Sequence, residues 1–183
     1  MSQKSLIRKK FFLLRKRNYF QIDEKFFNPI IRLLKKQKKK VSNISLYYPC
    51  YYEVDVLKIL NLGFFKKTNF LLPKIKKNNS LDFFKWKKND TLYLSKFGIP
   101  EPINSIKITP DVILLPLLAF DKKKNRIGYG KGFFDKYLNR FIKNHKKILT
   151  IGVAFSFQKY HNLPVNDKDY KLDYIITEKG LIK

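Results

Sequence analysis

At 183 residues, 44% hydrophobic and 16% aromatic, the chain is long enough for a single domain spanning 1–183, and it holds enough apolar surface to exclude intrinsic disorder. Forty Lys and Arg against 14 Asp and Glu give a net charge of +26, which invites a polyanionic partner. Cys50 is the sole cysteine, so an intrachain disulfide is excluded, a reducing cytoplasmic setting is expected, and with His145 and His161 far off in sequence no zinc set is expected.

Taken in chain order, apolar residues recur at three- and four-residue steps at Leu6, Ile7, Phe11 and Leu14, and again at Phe26, Phe27, Ile30, Ile31 and Leu34. Residues up to about 40 therefore read as two amphipathic helices, with Asp23 as the N-cap of the second. Phe11 to Leu14 is one apolar turn between basic residues and makes no secretory segment. A strand at Ile44 to Tyr48, a helix near Val54 to Leu62 ended by Gly63, and a strand at Phe70 to Leu72 closed by Pro73 make a βαβ opening. Short strands at Leu81 to Trp86 and Thr91 to Leu94 precede a loop marked by Pro100 and Pro102. The pattern resumes with a buried strand at Val112 to Leu115, a helix at Phe133 to Ile142, a strand at Ile148 to Phe155 and a last strand at Tyr174 to Thr177. Strands alternating with helices predict an α/β fold: a mainly parallel sheet covered on both faces, with an N-terminal helical pair. Val112 to Phe120, the longest apolar run, is too short for a bilayer and contains Pro116.

The distribution of the charge argues against nucleic acid. Lys occurs in every block of ten except 41–50 and 111–120, and only six of the basic residues are Arg, whose planar fork is the better reader of phosphates and base edges. The dense run Lys35 to Lys40 reads as a solvated helix end favoured by the helix dipole.

The most informative stretch is Arg126 to Leu138, RIGYGKGFFDKYL, between a buried strand and an amphipathic helix. Gly128, Gly130 and Gly132 alternate with Tyr129 and Lys131, so backbone N–H groups at a helix start can face an oxyanion while Lys131 adds a mobile charge. The spacing fits neither a Walker A loop nor a dinucleotide fingerprint. In an acid-poor chain, Glu53, Asp55, Asp135, Asp167, Asp169 and Asp173 fall near strand ends, where open α/β sheets bind ligands. Each has helix capping as its ordinary role. Asp135 and Asp169 can instead share a Mg²⁺ completed by phosphate oxygens and water. Cys50 reads as a small hydrophobe with nothing to activate it. Trp86, Phe97, Tyr129 and Phe133 are core residues by default, though loop aromatics can also hold a flat heterocycle.

At these residues the chain resembles the 5-formyltetrahydrofolate cyclo-ligase (methenyltetrahydrofolate synthetase) family. The likeness runs through Lys4 and Arg8, Ile44 to Asp55, FGIPEP at Phe97 to Pro102, Pro110 to Leu138, Ile151 to Gln158 and Leu163 to Glu178. It implies a Rossmann-like three-layer sandwich and an ATP- and Mg²⁺-dependent closure of 5-formyltetrahydrofolate to 5,10-methenyltetrahydrofolate, with ADP and phosphate released. In that chemistry ATP phosphorylates the formyl oxygen, the neighbouring amine attacks the activated carbon, and phosphate leaves. The resemblance places ATP on Lys4, Arg8, Arg126, Gly128, Tyr129, Gly130, Lys131, Gly132, Phe133, Phe134 and Asp135, with Lys131 and Arg126 catalytic. It places Mg²⁺ on Asp135 and Asp169 and folate on Cys50, Asp55, Tyr129 and Phe133. Asp55 then stands where the family usually has Glu, Phe133 replaces a common Tyr, and Phe97 takes a position where some members carry Trp. The expected protein is a cytoplasmic monomer with no specific nucleic-acid or membrane partner. The alternatives are a basic nucleic-acid-binding protein on an inactive cyclo-ligase fold and an ATP-dependent ligase for another small molecule.

Overall fold

The computed structural model describes residues 2–38, 40–143 and 148–183, the side chains of 142 and 143 excepted; Lys39 and His145 lie outside the described residues. A seven-stranded sheet runs in the order β11-β10-β9-β6-β1-β2-β3. Its middle is parallel: β1 (Asn43–Ser45) lies between β2 (Asn69–Ile75) and β6 (Val112–Pro116), and β6 pairs with β9 (Leu149–Val153), which pairs with β10 (Tyr174–Thr177). Ile44 registers with Val112, and Leu114 with Ile151. β6 and β9 are apolar almost throughout because both their faces are covered. The two edges, β3 (Leu81–Lys85) and β11 (Gly180–Ile182), are antiparallel.

One face of the sheet, with Ile44, Leu72, Val112, Leu114, Ile151 and Ile176, packs under helix α2 (Asn28–Lys36) and a 3₁₀ helix at Val56–Asn61. The opposite face, with Leu71, Phe83, Ile113, Leu115 and Ile175, is covered by α3 (Phe133–Lys143) through Tyr137 and Leu138. These are the three layers expected. Helix α1 (Gln3–Asn18) packs elsewhere, placing Ile7 and Phe11 on a two-stranded ribbon of β7 (Ala119–Phe120) and β8 (Arg126–Ile127). Asp121 closes that ribbon, accepting from the Asn125 side chain and the backbone of Asn125 and Leu163.

Four local expectations are corrected. Asp23 caps a 3₁₀ helix at Glu24–Phe27, accepting from Lys25 N, and α2 follows it. The helix expected over Val54 to Leu62 is the 3₁₀ segment Val56–Asn61. β2 runs through Pro73 to Ile75: Trp86 N bonds Phe70 O and Lys76 N bonds Ser80 O, so even-numbered positions carry the ladder and Pro73 turns its nitrogen away from β3. β1 has already stopped on that side, so the missing N–H costs nothing. The proline-marked loop forms β5 (Pro100–Pro102), antiparallel to β4 (Leu92–Leu94). Among the described residues, no helix is long and apolar enough to cross a membrane.

Candidate active site

A cavity of about 460 Å³ opens at the carboxyl edge of the parallel strands. The loop after β1 supplies Tyr48, Cys50 and Glu53, the end of β2 supplies Pro73 and Ile75, and the end of β6 supplies Pro116. Across from them lies the loop Gly128 to Gly132 with the first turn of α3, carrying Phe133, Phe134 and Asp135.

Helix α1 enters the same cavity through cations. Lys4 forms a salt bridge with Asp169, and Arg8 Nε donates to the Gly128 carbonyl at 2.9 Å. A Cβ on Gly130 would sit 3.1 Å from Arg8 Cζ on a backbone of φ +97°, and Gly132 has φ +67°. Glycine is needed at 130 both for the close approach and for the conformation. Gly132 O then accepts Lys136 N at 3.0 Å as α3 begins.

Arg126 Nη2 donates to Asp135 Oδ1 at 2.8 Å, and its buried Nε has no partner among the described residues. The same Asp135 oxygen accepts Tyr170 N at 3.1 Å, so a single residue step separates this contact from Asp169. Asp169 Oδ2 accepts Lys4 Nζ and Asn166 N. Each carboxylate uses one oxygen in these contacts. Two hard oxygen donors beside a loop of phosphate-binding type suit Mg²⁺ shared with a polyphosphate, which takes one or two carboxylates and not a full protein cage. Among the described residues no group of three or more His, Cys, Asp or Glu gathers anywhere. Lys131 is exposed at the mouth and bonds no other described residue.

On the opposite wall the carboxylate is Glu53. It is 7% exposed, and Tyr129 O–H donates to its Oε1 at 2.6 Å while Cys50 N donates to Oε2 at 2.9 Å. Burial pushes its carboxyl up, against the pull of Arg15, the Tyr129 hydroxyl and the Cys50 N–H. Burial and the Glu53 charge also push the Tyr129 phenol up. The Cys50 thiol is raised by burial and then by Glu53, which keeps it a neutral lining group. Phe97 and Phe133 meet at 5.6 Å between centroids, so an aromatic pair lines the cleft at the start of α3.

The structure thus brings every residue that the resemblance assigns to the site into one cavity, except Asp55. Asp55 caps the 3₁₀ helix by accepting Leu57 N at 3.1 Å and lines an adjoining hollow that shares Tyr48, Cys50, Tyr51 and Glu53 with the cavity. Trp86 is buried in the core and Asp173 is bound to Thr150. Sequence reading passed over Tyr48 and Arg15 and gave Glu53 no role. A signal for Arg15 was present: at about 100° per helical residue, positions 4, 8 and 15 fall within about 40° of each other on α1.

A mainly parallel α/β sheet with a glycine-rich, cation-lined cleft at its carboxyl edge defines the class: a three-layer protein of Rossmann-like form. Within that class the chain belongs to the 5-formyltetrahydrofolate cyclo-ligase family, whose sequence model matches residues 1–178. It is 34% identical to the 5-formyltetrahydrofolate cyclo-ligase of Mycoplasma genitalium, over 74% of this chain and 72% of that one. It is 29% identical to that of Haemophilus influenzae, over 77% and 78%. Among solved structures it is similar to the 5,10-methenyltetrahydrofolate synthetase of Aquifex aeolicus, with a TM-score of 0.78 and 30% identity over 100% of this chain and 93% of that one.

Proposed function

We propose that this protein catalyses the ATP-dependent cyclisation of 5-formyltetrahydrofolate to 5,10-methenyltetrahydrofolate, releasing ADP and phosphate. The observation that carries it is one cleft with two unlike walls, in a chain of this family: a cationic glycine-rich loop on one side, and a carboxylate with aromatic rings on the other. The joining of the loop wall to the wall built on β1 and β2 supports taking residues 1–183 as one domain.

In this reading the loop N–H groups of 128–132, with Lys4, Arg8, Arg126 and Lys131, hold the ATP phosphates. The formyl oxygen attacks the terminal phosphorus and ADP departs; the neighbouring amine nitrogen then attacks the activated carbon, and phosphate leaves with the former formyl oxygen and the proton that the amine gives up. No enzyme nucleophile is required, which agrees with the neutral Cys50 thiol. The residues instead supply alignment and charge neutralisation. Lys131, at the cleft mouth and unpaired among the described residues, would meet the charge of the transferring phosphoryl group.

Glu53 takes the folate role expected of Asp55, with Cys50, Tyr129 and Phe133 beside it. Asp135 and Asp169 would hold Mg²⁺, whose chemistry here is to neutralise phosphate charge. Lys4 and Arg126, which pair with them, would turn toward the nucleotide.

Incubation with ATP, Mg²⁺ and 5-formyltetrahydrofolate is expected to give the ultraviolet absorption of the methenyl product, with one ADP per product. Folate turnover without ADP sinks the mechanism, and ADP formed only with another acceptor assigns another substrate. Asp135→Asn and Asp169→Asn are each expected to raise the Mg²⁺ requirement with the fold intact; unchanged Mg²⁺ titrations in both would remove the metal assignment.

A further inference from the structure

The last turn of α1 carries a guanidinium in an unusual place. Arg15 is 1% exposed, although it lies on the helix that also brings Lys4 and Arg8 to the cleft. Its Nη2 donates to the Tyr129 hydroxyl at 2.5 Å, and that hydroxyl donates on to Glu53 Oε1. Arg15 Nη1 donates to the Leu117 carbonyl at 3.3 Å and stands 4.0 Å from Glu53 Oε1. Its Nε has no partner among the described residues. Burying a cation this fully is costly, and a helix needing only packing would be better served there by an apolar side chain.

The three residues come from three separate places. Arg15 is on α1, Glu53 is in the loop after β1, and Tyr129 lies between the first two glycines of the phosphate loop. Tyr129 therefore belongs to both walls: its backbone is part of the loop, and its hydroxyl is held by the carboxylate opposite. We propose that Arg15 is a positioning residue that locks Tyr129 onto Glu53, so that the nucleotide wall and the folate wall are set together and each substrate tightens the binding of the other. This rests on the reading of the cleft given above. Ordering the loop around ATP fixes Tyr129, which in turn fixes Glu53 against Arg15. Folate engaging Glu53 works through the same links in reverse, as reciprocity of coupled sites requires.

The test is calorimetric titration of the whole protein with a non-hydrolysable ATP analogue and Mg²⁺, alone and with saturating 5-formyltetrahydrofolate. Coupling in the wild type is expected in the ordinary range of about 5–150-fold. Arg15→Met, apolar and of similar length, is expected to bring it near onefold, and Arg15→Lys to retain part of it. Tyr129→Phe keeps the ring against Arg15 while removing the hydroxyl that Arg15 and Glu53 share, and is expected to lose the coupling as well. The double variant should then lose no more than either single one. A wild type that binds both ligands with no mutual effect overturns the coupling while leaving the assigned reaction standing. A wild type that binds neither overturns both. Should Arg15→Met fail to fold, Arg15→Lys and Tyr129→Phe decide the matter: coupling unchanged in both overturns the proposal.

Discussion

Glu53 and Asp55 are two residues apart, yet they do different work. Tyr51 and Tyr52 both take left-handed backbone, φ 50° and 63°, a conformation uncommon for residues other than glycine. Glu53 itself closes this turn, its N–H bonding Cys50 O while its carboxylate accepts Cys50 N. The turn aims Glu53 into the cleft and leaves Asp55 to start the 3₁₀ helix. Glu53→Gln is therefore expected to raise KM for folate by about tenfold or more, since it discharges a carboxylate held in a buried network. Asp55→Ala should leave both KM values in place and cost about 1 kcal/mol of stability as a lost cap, read by urea denaturation. Burial raises the Glu53 pKa against the lowering pull of Arg15, the Tyr129 hydroxyl and the Cys50 N–H, so folate affinity should begin to fall on acidification before pH reaches the ordinary carboxylate range. Glu53→Gln should flatten that dependence.

Among the elements, the close fit of β9 sets a limit on substitution. Gly152 pairs with Leu115 of β6 and Ile175 of β10, and a Cβ there would stand 2.7 Å from Leu172 Cδ1 and 2.8 Å from Leu117 Cδ2. Gly152→Ala should destabilise by about 1–3 kcal/mol through overpacking, measured as a lower urea midpoint at unchanged slope. The substitution would also push on Leu117, whose carbonyl accepts Arg15 and Gln158. β5 shows the same dependence on neighbours in another form: Pro100 and Pro102 suggest a loop, but Leu92 and Leu94 pair with them and Glu101 is held between Ile75 N and the Tyr93 hydroxyl. In a two-stranded ribbon each strand has one side without a partner strand, so a proline there can turn its nitrogen away from the ladder.

At the scale of the whole molecule, +26 charges surround a cleft that uses only a few of them. Lys36 and Lys38 are exposed at the end of α2, and Lys131 is exposed at the cleft mouth, so exposure alone does not separate them. Position does. Lys131→Met is expected to lower kcat by about 10²–10³, the usual loss of one preorganised charge donor. Converting Lys36 and Lys38 together to Gln should leave kcat unchanged and shift stability by no more than about 0.5 kcal/mol, because exposed charges are screened by water and salt. Steady-state kinetics and a nucleic-acid titration on both variants check this, and a silent Lys131→Met beside a Lys36/Lys38 variant with weakened nucleic-acid binding would return the molecule to the nucleic-acid reading.

What the sequence by itself determined is the part carried by short-range pattern. The apolar runs at Val112 to Leu115 and Ile148 to Phe155 specify central parallel strands, the second ending in the structure at Val153, and the alternating glycines before Phe133 specify a glycine-rich loop at a helix start. Turn chemistry and hydrophobic period act within a few residues, so they can be read along the chain. The antiparallel β11 and the β7–β8 ribbon escaped such reading because two- and three-residue strands have too little period to show. The Arg15, Tyr129 and Glu53 triad escaped it for a different reason: its members are 114 and 76 positions apart, and only tertiary packing brings them within hydrogen-bond distance. That Glu53 and not Asp55 lines the cleft likewise depends on a turn of two left-handed tyrosines, which no local preference foretells because tyrosine on its own avoids that backbone and is held there by contacts the fold supplies.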